Sequence, residues 1–177
     1  MIPSRFSAAT LDNFIPHTDS QKLALKAVRR WMEVVDGRSN SPMLALVGPP
    51  GTGKSHLLYG VVKALVRPAF VRPWYSFVDD LRYGASATTE SGTHARQQGE
   101  VRAHWWESKV VILDEIRPTS GTHFDDTELA RFACHAYDNE IPVLVTTNVN
   151  PLSEVMGPAA ASRFTEVVVT GPDGRKR

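Results

Sequence analysis

The chain has 177 residues, 42% of them hydrophobic and 22% charged, with 20 Lys and Arg against 19 Asp and Glu. This length holds one sizeable core, and the composition excludes a disordered or membrane-embedded class. The near-zero net charge excludes a field for nucleic acid or anionic lipid spread over the whole surface, so any DNA contact has to be local.

A single cysteine, Cys134, allows neither an internal disulfide nor a thiolate metal cluster, and Met1 is followed by no apolar export segment. The expectation is therefore one domain over 1–177, in the cytoplasm, with no membrane partner. Residues 1–19, with Pro3 and Pro16, read as an irregular lead-in. In "SQKLALKAVRRWMEVVDG" the spacing of Leu23, Ala27, Trp31 and Val35 predicts an amphipathic helix, capped by Ser20 or Asp19 and ended by a left-handed Gly37. "MLALV" (43–47) is a short apolar run leading straight into Gly and Pro, hence a buried strand. A helix from Lys54 to about Val66 follows, stopped by Arg67 and Pro68.

A second strand is expected around Phe70 to Ser76, interrupted by Pro73, with a short helix through "FVDDLRY". Gly84 to Glu100 is poor in large apolar residues and reads as a mobile surface loop. Its one arginine, Arg96, with Arg82 and Arg102, is either solvated or set to touch the phosphates of single-stranded DNA. Trp105 and Trp106 read as one core and one surface residue rather than as a base-stacking platform. "KVVILDEI" is a strand ending in two acids, and "DTELARFACHAYDNE" is a helix with Leu129, Phe132, Ala133, Ala136 and Tyr137 inward. "IPVLVTTN" and "TEVVVT" are the remaining strands. Buried strands separated by helices predict an α/β fold, a mostly parallel sheet covered on both faces.

"GPPGTGKS", residues 48–55, fits the phosphate-loop pattern G-x-x-x-x-G-K-[ST] and lies between a predicted strand and a predicted helix, as its mechanics require. Gly48, Gly51 and Gly53 let the backbone turn its N–H groups toward phosphates, with Pro49, Pro50 and Thr52 completing the loop. Lys54 would reach the β and γ phosphates of ATP, and Ser55 would hold Mg2+. His56 follows on the same helix and reads as filling space beside the phosphates. Asp114 and Glu115 end a strand where a parallel sheet opens its ligand crevice. Asp114 suits magnesium, and Glu115 suits a base for the water that attacks the γ phosphate. Asn148, closing "VLVTTN", either bonds that water or the γ phosphate, or opens a turn before Pro151. No histidine pair has ligand spacing for zinc.

Taken together, "IPSRF", "LDNF", the helix "Q-x-x-A-L-x-A-V-x-x-W", "GPPGTGKSHLL", "ILDEI", "YDNEIPVLVTTN" and "ASRF" resemble the AAA+ ATPases, and within them the DnaC/IstB-type helicase loaders and transposition helpers. The resemblance implies a P-loop NTPase of AAA+ core, here without a C-terminal helical lid. It implies a sensor role for Asn148 and an arginine finger at Arg163, acting in trans on the γ phosphate of a neighbouring copy. It also implies a second sensor arginine at Arg175 or Arg177. The corresponding function is ATP hydrolysis that switches assembly with copies of itself, with a hexameric replicative helicase, or on single-stranded DNA. The alternative is an IstB-type helper that delivers a transposase. A P-loop kinase would need an acceptor pocket and an arginine-rich lid that the sequence does not show, and a nucleotide-sensing adaptor would bind ATP with negligible turnover.

Overall fold

The computed structural model describes residues 2–37, 42–83, 107–117 and 123–172, with the backbone alone at 80–83 and 123–126. Among the described residues five strands form one sheet in the order β2-β3-β4-β1-β5, and every pairing is parallel. They are β1 (Met43–Val47), β2 (Phe70–Pro73), β3 (Val111–Asp114), β4 (Val143–Thr147) and β5 (Thr165–Val168). The three inner strands are buried along their whole length, as expected where helices cover both faces.

Alternation along β1 divides the core. Met43, Ala45 and Val47 point to one side with Val111, Leu113, Val143 and Val145. There they meet α3 (Trp74–Tyr83) through Trp74 and Phe77, and α4 (His123–Asp138) through Leu129, Phe132, Ala133 and Ala136. Two single-turn helices, α5 (Ser153–Met156) and α6 (Pro158–Ala161), complete that layer. Leu44 and Leu46 point the other way with Ile112 and Leu144, against α1 (Asp19–Gly37), α2 (Lys54–Ala64) and the lead-in residues Leu11 and Phe14. Burying each such Leu stabilises the fold by about 1.5–3 kcal/mol relative to exposure.

Several local expectations are corrected. The buried stripe of α1 is Ala24, Val28, Trp31 and Val35 with Gln21, while Leu23 is 56% exposed. Thr18, not Ser20 or Asp19, caps this helix: its hydroxyl accepts from Gln21 N at 3.2 Å while Gln21 Oε1 accepts from Thr18 N at 3.2 Å. This reciprocal pair satisfies two N–H groups that the helix start leaves free. Ser20 instead ties the helix to the segment that follows β5, accepting from Thr170 N at 2.9 Å. Gly37 is the last helical residue and does not adopt positive φ.

Helix α2 stops at Ala64, two residues early, leaving Val66 exposed. Pro73 does not interrupt β2 but ends it, at the sheet's edge opposite Asp114, where a missing N–H is tolerated. Tyr137 is 55% exposed rather than inward. The expected loop at 84–100, Arg102, Trp105 and Trp106 lie outside the described residues.

Candidate active site

Register places the ends of β1, β3 and β4 side by side. Val47 lies opposite Thr147, and Leu113 opposite Val145, so the residues that follow all three strands meet at one edge of the sheet. Strand β1 is flanked by β4 on one side and β5 on the other, the reversal of strand order at which open parallel sheets form their crevice. A cavity of about 370 Å³ lies there, lined by Arg5, Phe6, Pro50, Gly51, Gly53, Lys54, Ser55, His56, Glu115 and Asn148.

Two glycines are required by contact. At Gly48, with φ 144°, any Cβ would overlap the Val169 carbonyl oxygen on the strand extension after β5. At Gly53, with φ 92°, a Cβ would run into the Phe14 ring of the lead-in. The loop is held from behind as well: Thr52 Oγ1 donates to Pro49 O at 3.0 Å, and Gln21 Nε2 donates to Thr52 O at 3.2 Å.

Lys54, buried at the start of α2, turns its ammonium back onto Gly48 O and Pro49 O, each at 2.7 Å. Burial lowers its pKa to about 8 against the opposing pull of Asp114 and Glu115. A buried cation whose bonds go only to neutral oxygens is chemically matched to an anion in the loop.

Asp114 is buried and accepts two hydroxyls on one of its oxygens. Ser55 Oγ donates to Oδ1 at 2.9 Å and Thr146 Oγ1 at 2.6 Å. Burial first, then the charge of Asp114 and a hydrogen bond to it, push the buried Tyr59 phenol well above its ordinary pKa. Thr146 works in two directions, since its hydroxyl also accepts from Glu115 N at 2.8 Å while its carbonyl accepts from Ile116 N at 2.8 Å. These bonds hold Glu115 in the left-handed region, φ 61°, a conformation that costs of order 1–3 kcal/mol for a side-chain-bearing residue and persists where its surroundings fix it. The Glu115 carboxylate accepts from Asn148 Nδ2 at 3.1 Å and pairs with Arg117.

The donor set fits Mg2+ arriving with phosphates: one hydroxyl and one carboxylate, adjacent and all oxygen. Among the described residues no group of three His, Cys, Asp or Glu could cage a metal by itself.

The family model of the AAA domain (dynein-related subfamily) matches residues 43–164, from the first residue of β1 to the last before β5. The chain belongs to the AAA domain family. This AAA domain is similar to a Lon protease homolog of Acanthamoeba polyphaga mimivirus, with 28% identity over 126 residues, 69% of the chain. It spans only 12% of that relative's length. Among solved structures it is similar to the DnaC helicase loader, with TM-score 0.74 and 20% identity over 95% of this chain and 100% of that one. It is also similar to the replication initiator DnaA bound to AMPPCP and single-stranded DNA, with TM-score 0.73 and 20% identity over 96% of this chain and 51% of that one. These likenesses establish the shared fold. No helix among the described residues of the AAA domain is long and apolar enough to cross a membrane.

The remaining sequence-predicted residues fall in three places. His56 lines the cavity, with Nε2 at 3.0 Å from Thr10 O and 2.9 Å from Asn13 Oδ1, so it pins the lead-in to α2. Arg163 is not among the cavity residues; Nη1 donates to Ala159 O at 3.1 Å and its guanidinium sits 5.1 Å from the Tyr137 ring centroid. Arg175 and Arg177 lie outside the described residues. Sequence reasoning missed Arg5 and Phe6 as cavity residues, Thr146 as the hinge between Asp114 and Glu115, Tyr59 on Asp114, and Arg117 on Glu115. Of these Thr146 left a signal, as one of two threonines closing an apolar inner strand, and Arg5 and Phe6 lie within the quoted stretch "IPSRF" without their place at the cavity being legible there.

Proposed function

We propose that this AAA domain binds and hydrolyses ATP with Mg2+ and uses the turnover to switch assembly, as a replicative helicase loader of the DnaC/IstB type working on single-stranded DNA or with a hexameric helicase. The observation that carries the reading is one cavity in which Lys54, the Ser55–Asp114 pair and the Glu115–Asn148 pair converge. Likeness to the DnaC helicase loader over that protein's whole solved chain supports the loader role.

Each residue then has a task. Loop N–H groups and Lys54 bind the phosphates. Ser55 and Asp114 would hold magnesium, which supplies charge neutralisation at the phosphates when bound. Glu115 accepts the proton of the attacking water, and Asn148 orients it by bonding Oε1. Arg163, outside its own chain's cavity and resting on an exposed ring, serves the site of a neighbouring copy. Nucleotide held between copies favours the assembled state, and loss of the γ phosphate relaxes it.

Mixing two inactive variants tests this. Glu115→Gln keeps its finger but has no base; Arg163→Ala keeps its base but offers no finger. Combined, they form hybrid interfaces in which an intact Glu115 meets an intact Arg163, and part of the wild-type turnover returns. No recovery at any ratio, with both variants binding ATP and assembling, would refute action in trans.

A further inference from the structure

The first ordered turn of the lead-in, Ser4–Phe6, forms part of the cavity through Arg5 and Phe6. Its placement is fixed on α2. Phe6 stacks on Tyr59 with ring centroids 4.8 Å apart at 22°, and Lys63 Nζ donates to Phe6 O at 3.2 Å and also to Ser7 O. Tyr59 stands one helical turn after Ser55, on the face that reaches Asp114, so the stack builds upward from the magnesium-side carboxylate. Arg5 is the outermost layer, exposed, its guanidinium carbon 4.8 Å from the Phe6 ring centroid.

Charge makes this position informative. Around the cavity Lys54 and Arg117 are balanced by Asp114 and Glu115. Arg5 is the one that turns these surroundings net positive, and among the described residues it has no carboxylate partner. Its charge already reaches down the stack, opposing the upward shift of the Tyr59 phenol. A cation resting on a ring at an exposed site is weakly held, whereas the guanidinium fork makes strong paired bonds to phosphate oxygens.

We propose that Arg5 is a phosphate ligand in cis, leaving the Phe6 ring to bind the terminal phosphate of a nucleoside triphosphate and making the lead-in turn discriminate triphosphate from diphosphate. This rests on the nucleotide-site reading above and adds to it a residue of the same chain, separate from any finger in trans. Sharing a cavity with Lys54, Ser55 and Glu115, on the Phe6–Tyr59 stack that reaches Asp114, favours the terminal phosphate.

The test is calorimetric binding of AMPPCP and of ADP, each with Mg2+, to the wild type, Arg5→Ala and Arg5→Lys. Because Arg5 is exposed, Arg5→Ala leaves the core intact. Expected for Arg5→Ala is a loss of about tenfold in AMPPCP affinity with ADP affinity changed less than about twofold, and for Arg5→Lys a loss between wild type and Ala. Equal losses for both nucleotides would make Arg5 a support of the cavity wall and overturn the proposal, as would no loss for either. A wild type that binds neither nucleotide would overturn the nucleotide site itself, whatever Arg5 does.

Discussion

The phosphate-loop edge and the Arg163 corner are built to different standards. At the loop, Ser55, Asp114, Thr146, Glu115 and Asn148 are linked in one hydrogen-bonded set within 2.6–3.1 Å, with Lys54 beside it held by the loop's own carbonyls at 2.7 Å, and Lys54, Asp114 and Thr146 are buried. At the corner, Arg163 has one carbonyl and one exposed ring, and among the described residues no carboxylate. A bonded, buried set is preorganised for charge that develops in place, which is where electrostatic catalysis is strongest. A cation on a half-solvated ring is held by no such set and is left free to meet an anion from solvent or from another molecule. In the proposed function, this contrast corresponds to a site whose one half is complete within a copy and whose other half, Arg163, is presented to the next.

The sharpest way to break the comparison is to remove the corner. Arg163→Ala should reduce assembled turnover about 10³-fold while leaving ATP affinity within about twofold, measured by steady-state hydrolysis and by calorimetry. Lost affinity would put the arginine in its own site or in the fold, and the two regions would no longer be separable.

Acidity sharpens the loop's side. Without nucleotide, burial holds Lys54 down at about 8. A phosphate beside it favours the ammonium, so the complex keeps the proton to higher pH. Below pH 8 the lysine is charged in both states and affinity is flat. Above pH 8 the free protein has lost a proton that the complex must regain, and affinity falls by up to about tenfold per pH unit. Titrations from pH 7 to 9.5 check this; an affinity flat across the range would mean that Lys54 is not what the phosphates meet.

A smaller effect tests the corner's geometry. Tyr137→Ala removes the ring under Arg163, an exposed cation–π contact of about 0.5–1 kcal/mol. Stimulated turnover should drop a few-fold with ATP affinity unchanged, and Tyr137→Phe should restore it. Equal turnover in all three proteins would leave the ring without a part in aiming the arginine.

How far the sequence alone reached follows the range of the physics. The loop was legible because its glycines, lysine and serine are contiguous and sit between a strand and a helix. Asp114, Glu115 and Asn148 were legible because parallel strands end at the same edge. Thr146 on Asp114 and Phe6 on Tyr59 join residues 32 and 53 positions apart, and no local pattern announces such contacts. Errors within elements were of smaller kind. Taking Leu23 rather than Ala24 as the inward residue is a one-position shift, about 100° around a helix. Thr18, one position before the expected cap, wins because Gln21 lies three residues on and returns the bond. Tyr137 fits the inward stripe by spacing, yet an aromatic ring with a polar tip is equally suited to half-exposure, where it meets Arg163.

The central claim, that copies complete one another's sites, is tested most directly by ATP hydrolysis per protomer across a range of protein concentrations, with and without single-stranded DNA. The account predicts a specific rate that climbs with concentration and climbs further on DNA, as fingers reach neighbouring cavities. A rate that stays constant at every concentration, while ATP is bound and copies assemble, would contradict it.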